Sequence, residues 1–365
     1  MPLDHYLTLG RSALRVSPFC LGTMTFGLDW GWGSDVDDSN AIMDAYIERG
    51  GNFLDTANAY TKGHSERIIG DHVGRHPARR DRLVIATKFL SSMHLGDPNS
   101  GGAGRKSIIA ACEESLRRLQ TDYIDLYWMH WLDEFSPIDE TMRTLDDLVR
   151  AGKVRYLGFS DTPAWKVVQA QYEAIFRSWT PLVALQIEYS LAERSVEHDL
   201  IPMARANGLG VTPWSPLKGG VLTGKFTRAD VESGDVEKKA GRGAWVVNHM
   251  TERNLAIVDA LSSVADEAGV TPAQAALCWV QNRPGVASTI IGARIMDQLD
   301  ANLAALDVTL TDDQVRTLDE VSTPPPVFPY NFLPYTINNT QAGTTINRRP
   351  SEAWHMAPRN DDERW

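Results

Sequence analysis

Little in this chain is suited to crosslinking, to binding polyanions or to crossing a bilayer. Of its 365 residues only three are cysteine, Cys20, Cys112 and Cys278, far apart and with no CxxC or metal-like spacing. That excludes a disulfide framework and suits a reducing cytoplasm. Basic residues number 36 against 47 acidic ones, a net charge of -11, and no basic block or stripe interrupts the excess. Nucleic acid and anionic membranes are poor partners for such a surface. No apolar run approaches the length of a membrane span, and the N-terminal MPLDHYLTLGRSALRV lacks the apolar core of a signal peptide. A GxGxxG after the first strand is also missing, Gly22-Thr23-Met24 standing in its place, which counts against a doubly wound open sheet.

What is present is an alternation. A short hairpin, His5 to Thr8 and Leu14 to Val16 around Gly10 and Ser12, precedes a buried strand at Pro18 to Leu21. Further strands are expected at Asn52 to Leu54, Leu83 to Thr87, Tyr123 to Met129, Val154 to Phe159, Leu182 to Gln186, Gly210 to Pro213 and Ser288 to Ile291. Amphipathic helices fill the intervals: Asp37 to Gly50, one starting near Ser65, Arg105 to Gln120, Ile138 to Ala151, Pro163 to Phe176, and Val196 to Ala206. Glu252 to Ala268 is followed by Pro272 to Gln281, and Met296 to Ala305 closes the series. Eight strand and helix units at parallel crossover spacing predict a (β/α)8 TIM barrel, with the hairpin plugging its bottom and a long C-terminal loop and tail. The barrel is expected to span 1–332, with 333–365 as an extension.

In such barrels chemistry collects at the C-terminal ends of the strands. Asp55 follows the second strand, Lys88 the third and His130 the fourth, with Tyr60 on the loop after the second. Each has an ordinary explanation alone: a turn aspartate, a loop lysine, a core histidine, a packing tyrosine. Together at consecutive strand ends they suit acid catalysis on a carbonyl. A phenol with a pKa of about 10 is a weak acid at neutral pH, but a lysine ammonium beside it is expected to lower that value. Asp55 would keep Lys88 charged and oriented, and His130 would hydrogen-bond the same substrate oxygen.

The segments DTANAY, ATK and LYWMHWLD resemble the tetrad segments of the aldo-keto reductase superfamily. The similarity continues through GKVRYLGFS, LQIEYSL, VTPWSPLKGGVLTGKF and IIGARIMDQLDANL, covering about Leu9 to Phe332. Several independent motifs in one order make the match specific. The resemblance implies a catalytic tetrad of Asp55, Tyr60, Lys88 and His130. Asn58 stands where the family's loop often carries an acid. The resemblance further implies an extended nicotinamide dinucleotide bound without a Rossmann fingerprint, NADP(H) by preference and NAD(H) as the alternative. Thr23 falls among its contacts, Ser160 and Gln186 would hold the carboxamide, and Trp214 would stack on the ring. Asp161 replaces a frequent asparagine. Ser215, Leu217 and Gly220 align with the pyrophosphate segment, Lys225 or Arg242 with a clamp from the insertion at 225–250. Gly292 precedes a helix whose first amides can receive a phosphate. Arg294, Gln298 and Asn302 look like the adenosine end, with Arg294 on a 2′-phosphate.

Other features read more plainly. His72 and His76 form an i, i+4 pair without a third ligand and are taken as solvated, so no metal is expected. His64 shapes the turn GHSE with Ser65 as helix cap. The 225–250 insertion carries nine charged residues and three glycines, as a solvated loop does. After Pro324-Pro325-Pro326 come Phe328, Tyr330, Phe332, Tyr335 and Trp354 without periodicity. In the family the C-terminal loop shapes the substrate pocket, so Phe328 is expected to wall it opposite Trp30, Trp32 and Trp131. The expectation is a cytoplasmic, monomeric or weakly homo-oligomeric reductase acting on a neutral, bulky aldehyde or ketone such as a terpenoid ketone. Two rivals stand beside it: a regulatory barrel resembling potassium-channel β subunits, and a Schiff-base aldolase using Lys88.

Overall fold

A β-strand sends alternate side chains to opposite faces, so a strand buried on both sides lines two cores at once. In the computed structural model, which describes residues 1–226, 228–233 and 244–364, this parity organises the barrel. The eight strands are β1 (Phe19–Gly22), β2 (Phe53–Asp55), β3 (Val84–Phe89), β4 (Ile124–Met129), β5 (Val154–Ser160), β6 (Leu182–Glu188), β7 (Gly210–Trp214) and β8 (Thr289–Gly292). They are parallel, in the order β8-β1-β2-β3-β4-β5-β6-β7. The ring is drawn nearly closed where Val211 of β7 donates to the Gly285 carbonyl at 3.0 Å and accepts from Ala287 at 2.8 Å.

Val84, Ala86, Phe53, Cys20, Leu126 and Trp128 fill the barrel interior, while Ile85, Phe89, Leu54 and Tyr127 face the helices. Trp128 is the largest wholly buried side chain and needs a gap on the next strand. A Cβ on Gly158 would sit 2.3 Å from its ring, so only glycine fits there. Leu9, at the tip of the hairpin formed by Leu7–Thr8 and Arg15–Val16, joins the same interior cluster, and Arg11 donates to the Gly208 carbonyl at 2.7 Å. The hairpin thus closes the end of the barrel opposite the strand termini that carry polar residues.

The outer helices are α1 (Val36–Glu48), α2 (His64–Ile69), α3 (Arg105–Leu119), α4 (Ile138–Arg150), α5 (Ala164–Phe176), α6 (Leu200–Ala206), α7 (Pro272–Gln281) and α8 (Met296–Leu303). The single helix expected over 196–206 is broken into a short turn at Ser195–Glu197 and α6. Pro202 explains the break, since it has no N–H for the His198 carbonyl and its ring would collide there. A helix at Glu252–Ala268 lies outside the ring, and a second at Asp312–Ser322 was not expected from the sequence. Thr311 and Gln314 cap the latter reciprocally, at 3.3 and 3.0 Å.

The first compact unit is Met1–Ser322, whose last helix is stopped by the three prolines that follow. The second unit, Thr323–Trp365, contains a helix at Leu333–Gln341 and a two-residue hairpin at Thr345–Ile346 and Arg349–Pro350. No described residue within it is buried. Phe328, expected to wall a pocket, is 78% exposed in this unit and faces Phe332 at 6.5 Å. The three cysteines are free and buried, and burial pushes the Cys20 and Cys278 thiols up and Cys112 to about 12. No helix among the described residues is long and apolar enough to cross a membrane, and none of their His, Cys, Asp and Glu side chains form a metal-binding group.

Candidate active site

Parity also decides which polar residues meet. Lys88 shares a face with Val84 and Ala86, Asp55 with Phe53, and Gln186 with Ala184, so all three point into the barrel above its apolar filling. Lys88 is wholly buried. Its Nζ forms an ion pair with Asp55 Oδ2, donates to the Thr56 carbonyl at 2.8 Å and to the Tyr60 hydroxyl at 3.1 Å. The other Asp55 oxygen accepts from Gln186 Nε2 at 3.0 Å.

Tyr60 reaches Lys88 through a strained turn. Thr61 and Lys62 both adopt left-handed backbone angles, φ 46° and 61°, which non-glycine residues rarely occupy. Thr61 Oγ1 offsets the strain by donating to the Phe26 carbonyl at 2.8 Å and accepting from Ser65 N at 3.0 Å. The Tyr60 ring lies edge-on to His130, centroids 5.9 Å apart, and Lys88 Nζ sits 4.7 Å from its centre. Ser65 is not the helix cap. Gly63 precedes α2, and Ser65 Oγ donates to the Thr23 carbonyl instead.

The electrostatics differ from expectation at one point. Burial raises the Tyr60 pKa above the ordinary tyrosine value, and the Lys88 ammonium only partly opposes it. Without a substrate or cofactor, desolvation of the phenolate outweighs the charge beside it. Lys88 shows the reverse balance, since burial favours loss of its proton but Asp55 and Tyr60 hold it above the usual lysine range. His130 is pushed down to about 2 by burial and by Lys88, so its ring is neutral. Its Nδ1 is buried without a hydrogen-bond partner.

Several residues of the expected cofactor set present unfilled groups to this end of the barrel. Ser160 Oγ is buried with no partner, the position of an atom awaiting a ligand. Gly292 is exposed, and a Cβ there would meet nothing within 4 Å. Arg294 forms no ion pair among the described residues, its amide held by Gln298 Oε1 at 2.9 Å, while Asn302 Nδ2 donates to the Gly292 carbonyl at 3.1 Å. Ser215, Lys218, Gly219 and Gly220 all have positive φ, the backbone form in which successive amides make an anion nest. Lys225 borders it, its Nζ 3.4 Å from where a Cβ of Gly220 would be. Leu217 packs on the outer core. Arg242 lies outside the described residues.

Three expectations change. Thr23 is wholly buried, its hydroxyl 3.1 Å from the Asp55 carbonyl and 2.9 Å from Ser65 Oγ, so it ties β1 to β2 and has no side-chain atom to offer a cofactor. Gln186 is committed on one side to Asp55. His72 is not solvated, for its Nε2 lies 2.8 Å from Asp44, which Arg79 also engages. Sequence reasoning also missed the bond from Trp214 Nε1 to Asp161 Oδ1 at 2.9 Å. Solvent still reaches Asp161, yet the protein packed round it raises its carboxyl to about 6 against that hydrogen bond.

Around the mouth, Trp30 stands edge-on to Tyr60 at 6.3 Å and 5.6 Å from Trp32, and Trp131 lies against His130 at 4.4 Å. Trp30 and Trp131 are 37% and 42% exposed, as pocket walls facing solvent would be.

Comparison with known proteins agrees with this architecture. The aldo/keto reductase family pattern matches residues 18–323. The chain is 38% identical over 326 residues to the "Uncharacterized oxidoreductase YrpG" of Bacillus subtilis, covering 87% of this chain and 95% of that protein. It is 35% identical over 340 residues to "Norsolorinic acid reductase B" of Aspergillus parasiticus, covering 91% and 87%. "Putative aryl-alcohol dehydrogenase AAD14" of Saccharomyces cerevisiae is 35% identical over 333 residues, 87% of each chain. Eight parallel strands, a polar cluster at their C-terminal ends and a family match over nearly the whole barrel converge on one conclusion: this protein is an oxidoreductase of the aldo/keto reductase family.

Proposed function

We propose that the protein transfers a hydride between NADP(H) and the carbonyl or alcohol carbon of a neutral, bulky substrate, with Tyr60 as general acid and base. The observation that carries this reading is the buried chain from Asp55 through Lys88 to the Tyr60 hydroxyl. A nicotinamide cofactor, when bound, supplies or accepts the hydride. Tyr60 gives its proton to the substrate oxygen during reduction. Lys88 stabilises the phenolate left behind, and Asp55 keeps Lys88 charged. Neutral His130 donates or accepts one hydrogen bond at the oxygen without carrying charge. Ser160 and the remaining donor and acceptor of Gln186 hold the carboxamide. Trp214, fixed by Asp161, orients the ring, and Ser215, Leu217, Gly220, Lys225 and Gly292 receive the phosphates. Arg294, with Gln298 and Asn302, favours a 2′-phosphate.

Schiff-base chemistry on Lys88 needs an unprotonated amine, and the Asp55 pair opposes that. The walls of Trp30, Trp32 and Trp131 suit flat or alicyclic carbonyls. The relatives named for norsolorinic acid and aryl alcohols add aromatic ones, ahead of phosphorylated sugars. The protein is read as cytoplasmic, and as a monomer or weak homo-oligomer. A panel of aryl and alicyclic aldehydes, ketones and alcohols, followed at the nicotinamide absorbance with NADPH and NADP+, tests the reading. Turnover of several members is expected. No turnover with either cofactor, together with a stable protein partner in a pull-down, would favour the regulatory barrel instead.

A further inference from the structure

Lys218 is an anomaly in the nucleotide-facing loop. Lysine normally keeps its ammonium in water, yet this side chain is 8% exposed and its ammonium is paired with Glu188. Its backbone is left-handed, φ 47°, immediately before two glycines that take such angles freely. A lysine in that conformation persists only where the surroundings over-determine it. Here they do. Lys218 Nζ donates to Glu188 Oε1 at 2.7 Å, with Glu193 Oε2 at 4.0 Å. Glu188 is the last residue of β6 and the cross-strand partner of Trp214. The Lys218–Thr223 turn also packs against the helix Ala244–Val247, where the chain returns from the 225–250 insertion. Burial and the Lys218 charge push the His249 ring, just beyond, below the ordinary histidine value, with Glu188 opposing. Among the described residues, the charged and titratable groups that face Lys218 are Glu188, Glu193 and His249.

We infer that Lys218 is a positioning residue: its ion pair latches the Ser215–Gly220 nest to the end of β6 and to the turn that follows it, presetting the nest for a dinucleotide phosphate. Lys218 itself does not touch the phosphate. The inference rests on the nucleotide reading above. Its physical basis is preorganisation, because a loop already held in four left-handed positions has less freedom to lose when an anion arrives. The other bonds of the nest are between uncharged groups, among them Lys218 N to the Ser215 carbonyl at 2.8 Å, Gly219 N to Ser215 Oγ at 3.2 Å, Gly220 N to the Leu217 carbonyl at 2.9 Å and Thr223 Oγ1 to the Gly220 carbonyl at 2.6 Å.

The test measures NADPH affinity by fluorescence quenching and NADPH release by stopped flow on the full chain, with thermal unfolding as the check on folding. Lys218→Met is expected to raise Kd and the release rate about ten-fold. In steady state the KM for NADPH should rise by more than kcat falls. The exchanged pair K218E/E188K should recover much of the loss, and Lys218→Arg should stay close to the parent protein. Should Lys218→Met fail to fold, Glu188→Gln is expected to move Kd and release in the same direction. A folded Lys218→Met or Glu188→Gln protein that binds NADPH within about two-fold of the parent, or no recovery in the exchanged pair, overturns the latch. Failure of the parent protein to bind NADPH overturns the nucleotide reading itself.

Discussion

Tyr60 is held by its neighbours as an acid that does not ionise near neutrality. Its pKa is raised, so the protonated form that carbonyl reduction requires persists through the neutral range and is lost only above the ordinary tyrosine value. The rate of carbonyl reduction should therefore be level across neutral pH, whereas Tyr60→Phe should lower kcat by about 10² to 10⁴ with NADPH affinity nearly unchanged. Substantial residual turnover in that variant would assign the acid elsewhere. Lys88→Met would leave the Asp55 carboxylate buried without its partner and should cost about 3–5 kcal/mol of stability in urea titrations. His130 makes stability depend on pH. Its imidazole is neutral when folded, with a pKa of about 2, and takes a proton near 6.5 once unfolded. The unfolded chain thus binds more protons below 6.5, and the stability present above that pH falls by about 2 kcal/mol on going to pH 5. Urea titrations at pH 7.5 and 5 should show a smaller loss for His130→Phe, and an equal loss would remove His130 as the cause.

At the scale of elements, the alternation of strands and helices told most of what mattered. Asp55, Lys88 and His130 could be grouped from the sequence because each follows a strand, whereas Ser160, Gln186 and Trp214 came from the family resemblance; in the structure strand parity puts Asp55, Lys88 and Gln186 on the inner face. What could not be read was who is bonded to whom across strands. Gln186 binding Asp55, Thr23 buried beneath Ser65 and His72 paired with Asp44 all depend on distances that spacing along one chain does not encode. The helix Asp312–Ser322 was legible in principle, since Thr311 and Gln314 spell a capping box, but it follows a helix already assigned as the last of the barrel. Thr311→Ala should cost about 1 kcal/mol in thermal or urea unfolding. At the start of α8, Arg294→Ala is expected to raise the KM for NADPH far more than that for NADH. Equal rises would remove Arg294 from the 2′-phosphate.

For the whole molecule, folding stability resides in the barrel unit. Residues 323–364 contribute no buried side chain, so a chain ending at Ser322 should fold with a melting temperature within a few degrees of the full protein. A large drop, read by circular dichroism, would show that the second unit contributes to the fold. The barrel also hides every native thiol, each with its pKa raised by burial. One cysteine introduced on the surface, for example at Leu28 in the loop that bears Trp30 and Trp32, would then be the sole reactive sulfur on the molecule. A single dye could be attached there without altering the native sequence elsewhere, and movement of the mouth could be followed one molecule at a time.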